Sequence, residues 1–213
     1  MVFAQYGDET YSRGLNVYTS INTADQNAAY AALRRGILEY DRRQAYRGPE
    51  KFIDLPKAKA DVEEAVDDAL TSHPDAGELL AAVVTKMSAR SVTVMRRGGE
   101  VIEVSGDGLR PVSSGLSPKA GPNIRIRPGA VVRVDKNSRG AWELTQLPEV
   151  EGALVALDPR NGAVKALIGG FDYDKNKFNH VTQAWRQPGS SFKPFLYSAS
   201  PEKSFSPTTM IND

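Results

Sequence analysis

Residues 79–149 constrain the fold most, because their apolar positions come in short runs that turn residues interrupt every few positions. Short β-branched runs bounded by glycine or proline are typical of strands and too short for most helices. Strands are predicted at 81–87, 91–96, 101–104, 130–134 and 141–146. Five short strands in so short a region predict a small barrel of the OB type, in which 111–122 forms a long loop.

The residues before this region show the spacing of helices. Residues 16–21 are rich in β-branched and aromatic side chains, which predicts a strand running straight into a helix. That helix is predicted to start at Thr23, with Gln26 completing a capping box. Its apolar positions then recur every three or four residues for about four to five turns. A second capping box, Asp61 with Glu64, predicts a shorter helix before the barrel. Its predicted apolar stripe consists of Val62, Ala65, Val66, Ala69 and Leu70.

Residues 41–59 contain one glycine and two prolines and predict an irregular connector between the two helices. Three arginines, Arg42, Arg43 and Arg47, lie beside tyrosines in this stretch. Such a mixture can stack on nucleic-acid bases, but in a nearly neutral chain we interpret it as a solvated face.

Composition excludes several classes of function. The chain has 27 Lys and Arg against 26 Asp and Glu, so no strong field attracts nucleic acid or an anionic membrane. It has no cysteine and two histidines, so neither a metal site nor a cofactor is predicted. The predicted barrel offers Trp142 as its one aromatic platform, which favours a docking or spacer role over single-strand binding.

A hairpin is predicted after the barrel. Two dense apolar runs, 152–157 and 163–170, flank Asn161 and Gly162. Asn-Gly supplies the positive φ angles that a tight turn needs, and the runs are apolar enough for a buried sheet.

Ser190 and Lys193 form the strongest candidate for a chemical site. Pro188 and Gly189 force a turn before them, and a helix beginning at Ser190 tolerates Pro194 in its first turn. Residues three apart share a helix face, so the Lys193 ammonium lies on the side of the Ser190 hydroxyl. The spacing alone fits both a serine nucleophile with its base and a capping serine with a surface lysine.

A serine hydroxyl attacks only after a base removes its proton, and a lysine accepts that proton when burial favours its neutral form. Four large apolar neighbours are available for this burial: Phe192, Phe195, Leu196 and Tyr197. A second pair with the same spacing, Ser200 and Lys203, has Glu202 beside the lysine, which holds it protonated. We assign that pair to a surface turn.

The segment Arg186-Gln187-Pro188-Gly189-Ser190-Ser191-Phe192-Lys193-Pro194 resembles the active-serine segment of class A, bifunctional penicillin-binding proteins, 1A type. Further segments resemble this family in its order: Tyr18-Thr19-Ser20-Ile21, Tyr46-Arg47-Gly48-Pro49, Gly152 to Pro159, Gly162-Ala163-Val164 and Gly169-Gly170-Phe171.

The resemblance implies a serine D,D-transpeptidase that cross-links peptidoglycan stem peptides and is acylated by β-lactams. Ser190 would then be acylated by a D-Ala-D-Ala donor, and Lys193 would accept its proton. The family also implies a glycosyltransferase domain, a membrane anchor before this region, and a position at the periplasmic face of the bacterial inner membrane. In some relatives the OB-like region docks an outer-membrane lipoprotein activator, which gives the alternative function of a docking module.

Two family motifs, S-x-N and K-[ST]-G, do not occur after Lys193. Ser20-Ile21-Asn22 fits the first of them but lies upstream of the candidate serine. We therefore expect an internal, inactive fragment with a multi-domain α+β fold. Its predicted parts are a connector (1–60), a short helix and linker (61–78), an OB-like barrel (79–149), and the hairpin and active-serine helix that begin a transpeptidase domain (150–213).

Overall fold

The computed structural model describes residues 2–201, 206 and 208–210. Two units pack separately, residues 1–181 and 182–213. The described helices are α1 (Val2–Tyr6), α2 (Glu9–Ser12), α3 (Thr23–Asp41), α4 (Lys59–Thr71), α5 (Ser113–Leu116) and α6 (Lys193–Ala199). The strands are β1 (Lys51–Phe52), β2 (Leu80–Met87), β3 (Ser91–Met95), β4 (Val101–Ser105), β5 (Ala130–Lys136), β6 (Trp142–Thr145), β7 (Leu154–Leu157) and β8 (Val164–Ile168).

Strands β1 to β6 form the antiparallel sheet of the OB-like domain, in the order β1-β5-β2-β3-β4 with β6 paired to β5. All five strands predicted between residues 79 and 149 are confirmed. β4 and β6 also lie against each other, and Ile102, Val104 and Leu144 fill the space between them. Side-chain packing thus brings the two ends of the curved sheet together around one apolar core.

The predicted connector contributes to this core. Tyr46 is buried among the inward-facing side chains of the sheet, and β1 pairs with β5. Arg47 forms an ion pair with Asp41, and Arg42 with Glu143 on β6. Arg42 and Arg43 are exposed, as expected of a solvated face, but Arg47 is partly buried, so that interpretation was wrong for Arg47. Sequence alone cannot identify an acid that lies about 100 residues away along the chain, as Glu143 does from Arg42.

The long loop predicted at 111–122 is partly helical. A 3₁₀-helix covers Gly106–Val112 and continues into α5. Val112 is fully buried in the barrel core, and a Cβ atom on Gly115 would lie 2.6 Å from the Tyr46 ring. The close packing of Tyr46 on a glycine explains why this segment folds back over the barrel instead of extending into solvent.

Helix α3 is confirmed, but the strand predicted at 16–21 is wrong. This segment runs beside β8, and the Asn22 N–H donates to the Lys165 carbonyl oxygen at 3.1 Å. The other contacts come from side chains. The Ser20 hydroxyl donates to the Val164 carbonyl oxygen, and the Gln26 side chain donates to the Leu167 carbonyl oxygen and accepts from the Leu167 N–H. Side chains thus replace the backbone ladder that defines a strand.

Neither predicted capping box forms. The Asn22 side chain caps α3 by accepting from the N–H groups of Ala24 and Asp25, which leaves Gln26 free to bind β8. Helix α4 starts at Lys59 and its cap residue, Ala58, has no side-chain hydrogen bond. The apolar stripe of α4 is nevertheless as predicted, with Val66, Ala69 and Leu70 buried against β2 and β5.

The predicted hairpin is confirmed as the antiparallel pair β7 and β8. Its connection is longer than a two-residue Asn-Gly turn, because the Asp158 N–H donates to the Ala163 carbonyl oxygen across the loop. Gly162 has a positive φ of +73°. One face packs on α3 through Ala166 and Ile168. On the opposite face Val155 and Leu157 are about half exposed, so residues 1–181 cover only one side of the predicted buried sheet.

Candidate functional site

The Ser190 segment is a 3₁₀-turn followed by a short α-helix. The turn covers Gly189–Phe192 and is closed by the Lys193 N–H, which donates to the Ser190 carbonyl oxygen. Gly189 has a φ of +52°, which a residue with a Cβ rarely adopts, and Pro194 lies in the first turn of α6. A helical turn starting near Ser190, with proline in its first positions, is as predicted.

The turn aligns the two candidate residues. In a 3₁₀-helix the side chains at i and i+3 eclipse each other, so Ser190 and Lys193 project from the same side. Both are exposed within their unit. In the described part of the chain, neither side chain forms a hydrogen bond or an ion pair. The Ser190 hydroxyl and the Lys193 ammonium therefore lie on the same side of the turn without a hydrogen bond between them.

The apolar neighbours do not bury the lysine. Phe192, Phe195, Leu196 and Tyr197 are 57–69% exposed, although the two phenylalanine rings lie 5.8 Å apart. The expectation that these side chains desolvate Lys193 is therefore wrong within the described part of this unit. Of the second pair with the same spacing, the Ser200 hydroxyl donates to the Leu196 carbonyl oxygen, and Lys203 lies outside the described residues.

A second candidate site is an open groove of about 480 Å³ on the OB-like domain. It lies between the start of α4 and the outer face of β2 and β3. Its apolar lining includes Leu55, Val62, Met95, Val101 and Pro128, with Lys57 and Lys86 as the charged lining residues. Sequence reasoning missed this groove because residues 53–58 were assigned to a connector.

Arg34 is a functional candidate that sequence reasoning also missed. Its side chain is only 4% exposed and contacts both the turn before β2, at Ala76 and Glu78, and the chain after β8, at Phe171. The available signal was its position on α3, four residues after Tyr30 and three before Ile37, which places an arginine on the apolar face. Buried arginines are rare unless they are paired.

The described residues contain no group of three or more acidic or histidine side chains arranged to hold a metal ion. No helix in the described part of the chain is long and apolar enough to cross a bilayer.

Comparison with known families separates the chain into two matching regions. Residues 46–150 match the family model of the penicillin-binding protein OB-like domain, and residues 152–213 match that of the penicillin binding protein transpeptidase domain. The first match begins at Tyr46, which is the residue at which the chain enters the barrel core in the structure.

Curated relatives extend the match to the whole chain. Penicillin-binding protein 1A of Neisseria lactamica is 41% identical over 213 residues, and that of Escherichia coli (strain K12) is 37% identical over 219. In both cases the match covers all of this chain and 26% of the relative, so the chain spans about a quarter of their length.

A solved structure shows the same architecture. The crystal structure of Penicillin-Binding Protein 1A from Haemophilus influenzae matches with a TM-score of 0.78 and 30% sequence identity, covering 95% of this chain and 29% of that one. The α+β fold with an OB-like domain beside the start of a transpeptidase domain is therefore confirmed. The chain belongs to the penicillin-binding protein family.

Proposed function

We propose that this chain is part of a peptidoglycan synthase and carries the acylation site of its serine D,D-transpeptidase. Ser190 is the nucleophile, and the Lys193 amine accepts the hydroxyl proton as Oγ attacks the carbonyl carbon of a D-Ala-D-Ala donor. The peptide bond breaks, D-Ala leaves, and the donor stays on Ser190 as an ester. A stem-peptide amine then takes the acyl group, and a β-lactam blocks the site by forming a stable ester.

The observation that carries this proposal is the position of Ser190 and Lys193 within the transpeptidase match. The match covers residues 152–213, and the Pro-Gly-Ser-x-x-Lys-Pro segment lies inside it. The 3₁₀-turn supports the assignment, because it puts the serine and lysine on one side of the chain and turns Ser191 away from the lysine. A capping role is not supported, since the Ser190 hydroxyl has no hydrogen bond among the described residues.

Labelling with a fluorescent penicillin tests the proposal. We expect the complete protein to be labelled, Ser190→Ala to abolish labelling, and Lys193→Ala to slow it by at least about a hundredfold, the scale on which a general base acts. Ser191→Ala is the matched control and retains labelling. Full labelling of Ser190→Ala, or loss of labelling in Ser191→Ala alone, would refute the assignment.

The isolated chain is expected to label weakly. Residues 194–213 contain neither S-x-N nor K-[ST]-G, and Lys193 is exposed among the described residues of its unit. Strong labelling of the 213-residue chain would show that those motifs are not needed for acylation. We further propose that the complete protein polymerises glycan strands through a separate domain and is anchored at the periplasmic face of the inner membrane.

A second candidate function is docking of an envelope lipoprotein activator by the OB-like domain. The open apolar groove between α4 and β3 favours it, because grooves of this kind commonly accept a partner's side chains. Val101→Asp places a charge in the groove, and Val17→Asp is a matched control because the two valines are 58% and 56% exposed. Lipoprotein binding that survives Val101→Asp, or that is equally weakened by both variants, would exclude this groove.

A further inference from the structure

We infer that Arg34 is a positioning residue that couples the OB-like domain to the segment leading into the transpeptidase site. Its contacts connect three parts of unit 1–181: helix α3, the turn between α4 and β2 of the OB-like domain, and the chain that leaves β8. The inference rests on the proposed function for its kinetic readout, but the structural coupling can be measured without it.

The guanidinium holds the turn before β2 from one side. Nε donates to the Glu78 carboxylate at 3.1 and 3.2 Å, and Nη2 donates to the Ala76 carbonyl oxygen at 2.7 Å. Gly77 between them has a φ of +62°, and a Cβ atom there would lie 2.8 Å from Arg34 Nη2. The turn therefore packs closely against the Arg34 side chain, and a movement of the turn must also move the guanidinium.

The same guanidinium holds the chain after β8 from the other side. Nη1 donates to the Phe171 carbonyl oxygen at 2.8 Å and lies 3.6 Å from the Asp172 carboxylate. The Phe171 ring, which is fully buried, lies 4.0 Å from the guanidinium carbon. Phe171 also packs in one apolar cluster with Ile37 and Leu79, so hydrogen bonds and packing act together here.

Coupling follows because one rigid planar group makes both sets of contacts. A guanidinium cannot rotate to keep the Glu78 and Ala76 bonds without weakening those to Phe171 and Asp172. Residues 171 and 172 begin the segment that runs from β8 to Ser190 along the chain. Movement of the OB-like domain relative to α3 therefore changes the restraint on that segment, and misplacement by about 1 Å slows an enzyme reaction up to about a hundredfold.

Two substitutions test the coupling in the complete protein while Arg34 and Ser190 themselves stay unsubstituted. Glu78→Gln removes the charge on the OB-like side, and Glu100→Gln is its control, because both acids pair with an arginine and are 41% and 50% exposed. Gly77→Ala crowds the guanidinium, and Gly140→Ala is its control, with a φ of +76° and no atom within 4 Å of the new Cβ.

The first measurement is amide hydrogen exchange in residues 171–178, and the second is the rate constant for penicillin labelling of Ser190. We expect both test variants to exchange at least about threefold faster there and to label about tenfold more slowly, whereas the controls stay at the unsubstituted values. Unchanged exchange and labelling in folded Glu78→Gln would overturn the inference, as would equal effects in Glu100→Gln. If the unsubstituted protein does not label, the proposed function fails, and the exchange measurement alone then decides the coupling.

Discussion

Gly129→Ala tests whether residues 46–58 are held against the barrel. Gly129 precedes β5 with a φ of +88°, its N–H donates to Val84, and its carbonyl oxygen accepts from the Ile53 N–H at 2.8 Å. A Cβ atom at this position would lie 2.1 Å from the Ile53 carbonyl oxygen. Because contacts shorter than 3.0 Å do not occur, the Ile53 backbone must move by about an ångström.

The expected cost follows from these contacts. A left-handed conformation costs a residue with a Cβ about 1–2 kcal/mol. Losing the Ile53 hydrogen bond and part of the β1 pairing adds about 1–2 kcal/mol. The alanine also restricts the unfolded chain, which offsets about 0.4–1 kcal/mol. We expect Gly129→Ala to lower the free energy of unfolding by about 2 kcal/mol. Gly140→Ala, which has a similar φ and no contact, should lower it by about 1 kcal/mol.

Urea unfolding followed by tryptophan fluorescence measures this difference. Trp142 packs against the barrel core, whereas Trp185 is 97% exposed and should change little on unfolding, so the signal reports the OB-like domain. The strain at positive φ cancels between the two variants, and the remaining difference of about 1–2 kcal/mol measures the contact with Ile53. Equal destabilisation by both substitutions would show that residues 46–58 are a loose connector, as the sequence had suggested.

Two further predictions concern titratable groups. Burial, with a smaller contribution from Glu50, raises the pKa of Tyr46, so this phenol favours the neutral form in the folded state, and stability should fall as the pH rises above about 10. Tyr46→Phe removes a buried hydroxyl that has no hydrogen bond among the described residues. The substitution should flatten the loss of stability at high pH and stabilise the domain by about 1 kcal/mol in urea unfolding. Destabilisation would contradict the burial of an unpaired hydroxyl. Hydrogen bonds from Arg160 hold the pKa of Asp158 below its usual range, so they favour the folded hairpin at neutral pH and are lost as the pH falls below about 4. An NMR titration should show the Arg160 amide signal shifting only at acidic pH and staying constant in Asp158→Asn.

Local patterns predicted the elements whose stability depends on nearby residues. The five barrel strands, the hairpin, α3 and the apolar stripe of α4 all follow from periodicity and turn residues. Predictions that depended on a specific side-chain partner were less successful. Both capping boxes fit the residue types, yet Asn22 caps α3 and Gln26 binds Leu167 about 140 residues away.

The sequence by itself determined the family, through the resemblance of several short segments, and the order of the OB-like and transpeptidase regions. It also singled out Ser190 and Lys193 as the pair for which we propose a catalytic role. Only the tertiary structure decided that Tyr46 belongs to the barrel, that a groove opens beside α4, and that Arg34 is buried between two domains. An arginine on an apolar helix face looks the same in sequence whether it reaches solvent or a buried carboxylate. The difference depends on Ala76 and Glu78, more than 40 residues later, and on Phe171 and Asp172, more than 130 residues later, which only the folded chain brings together.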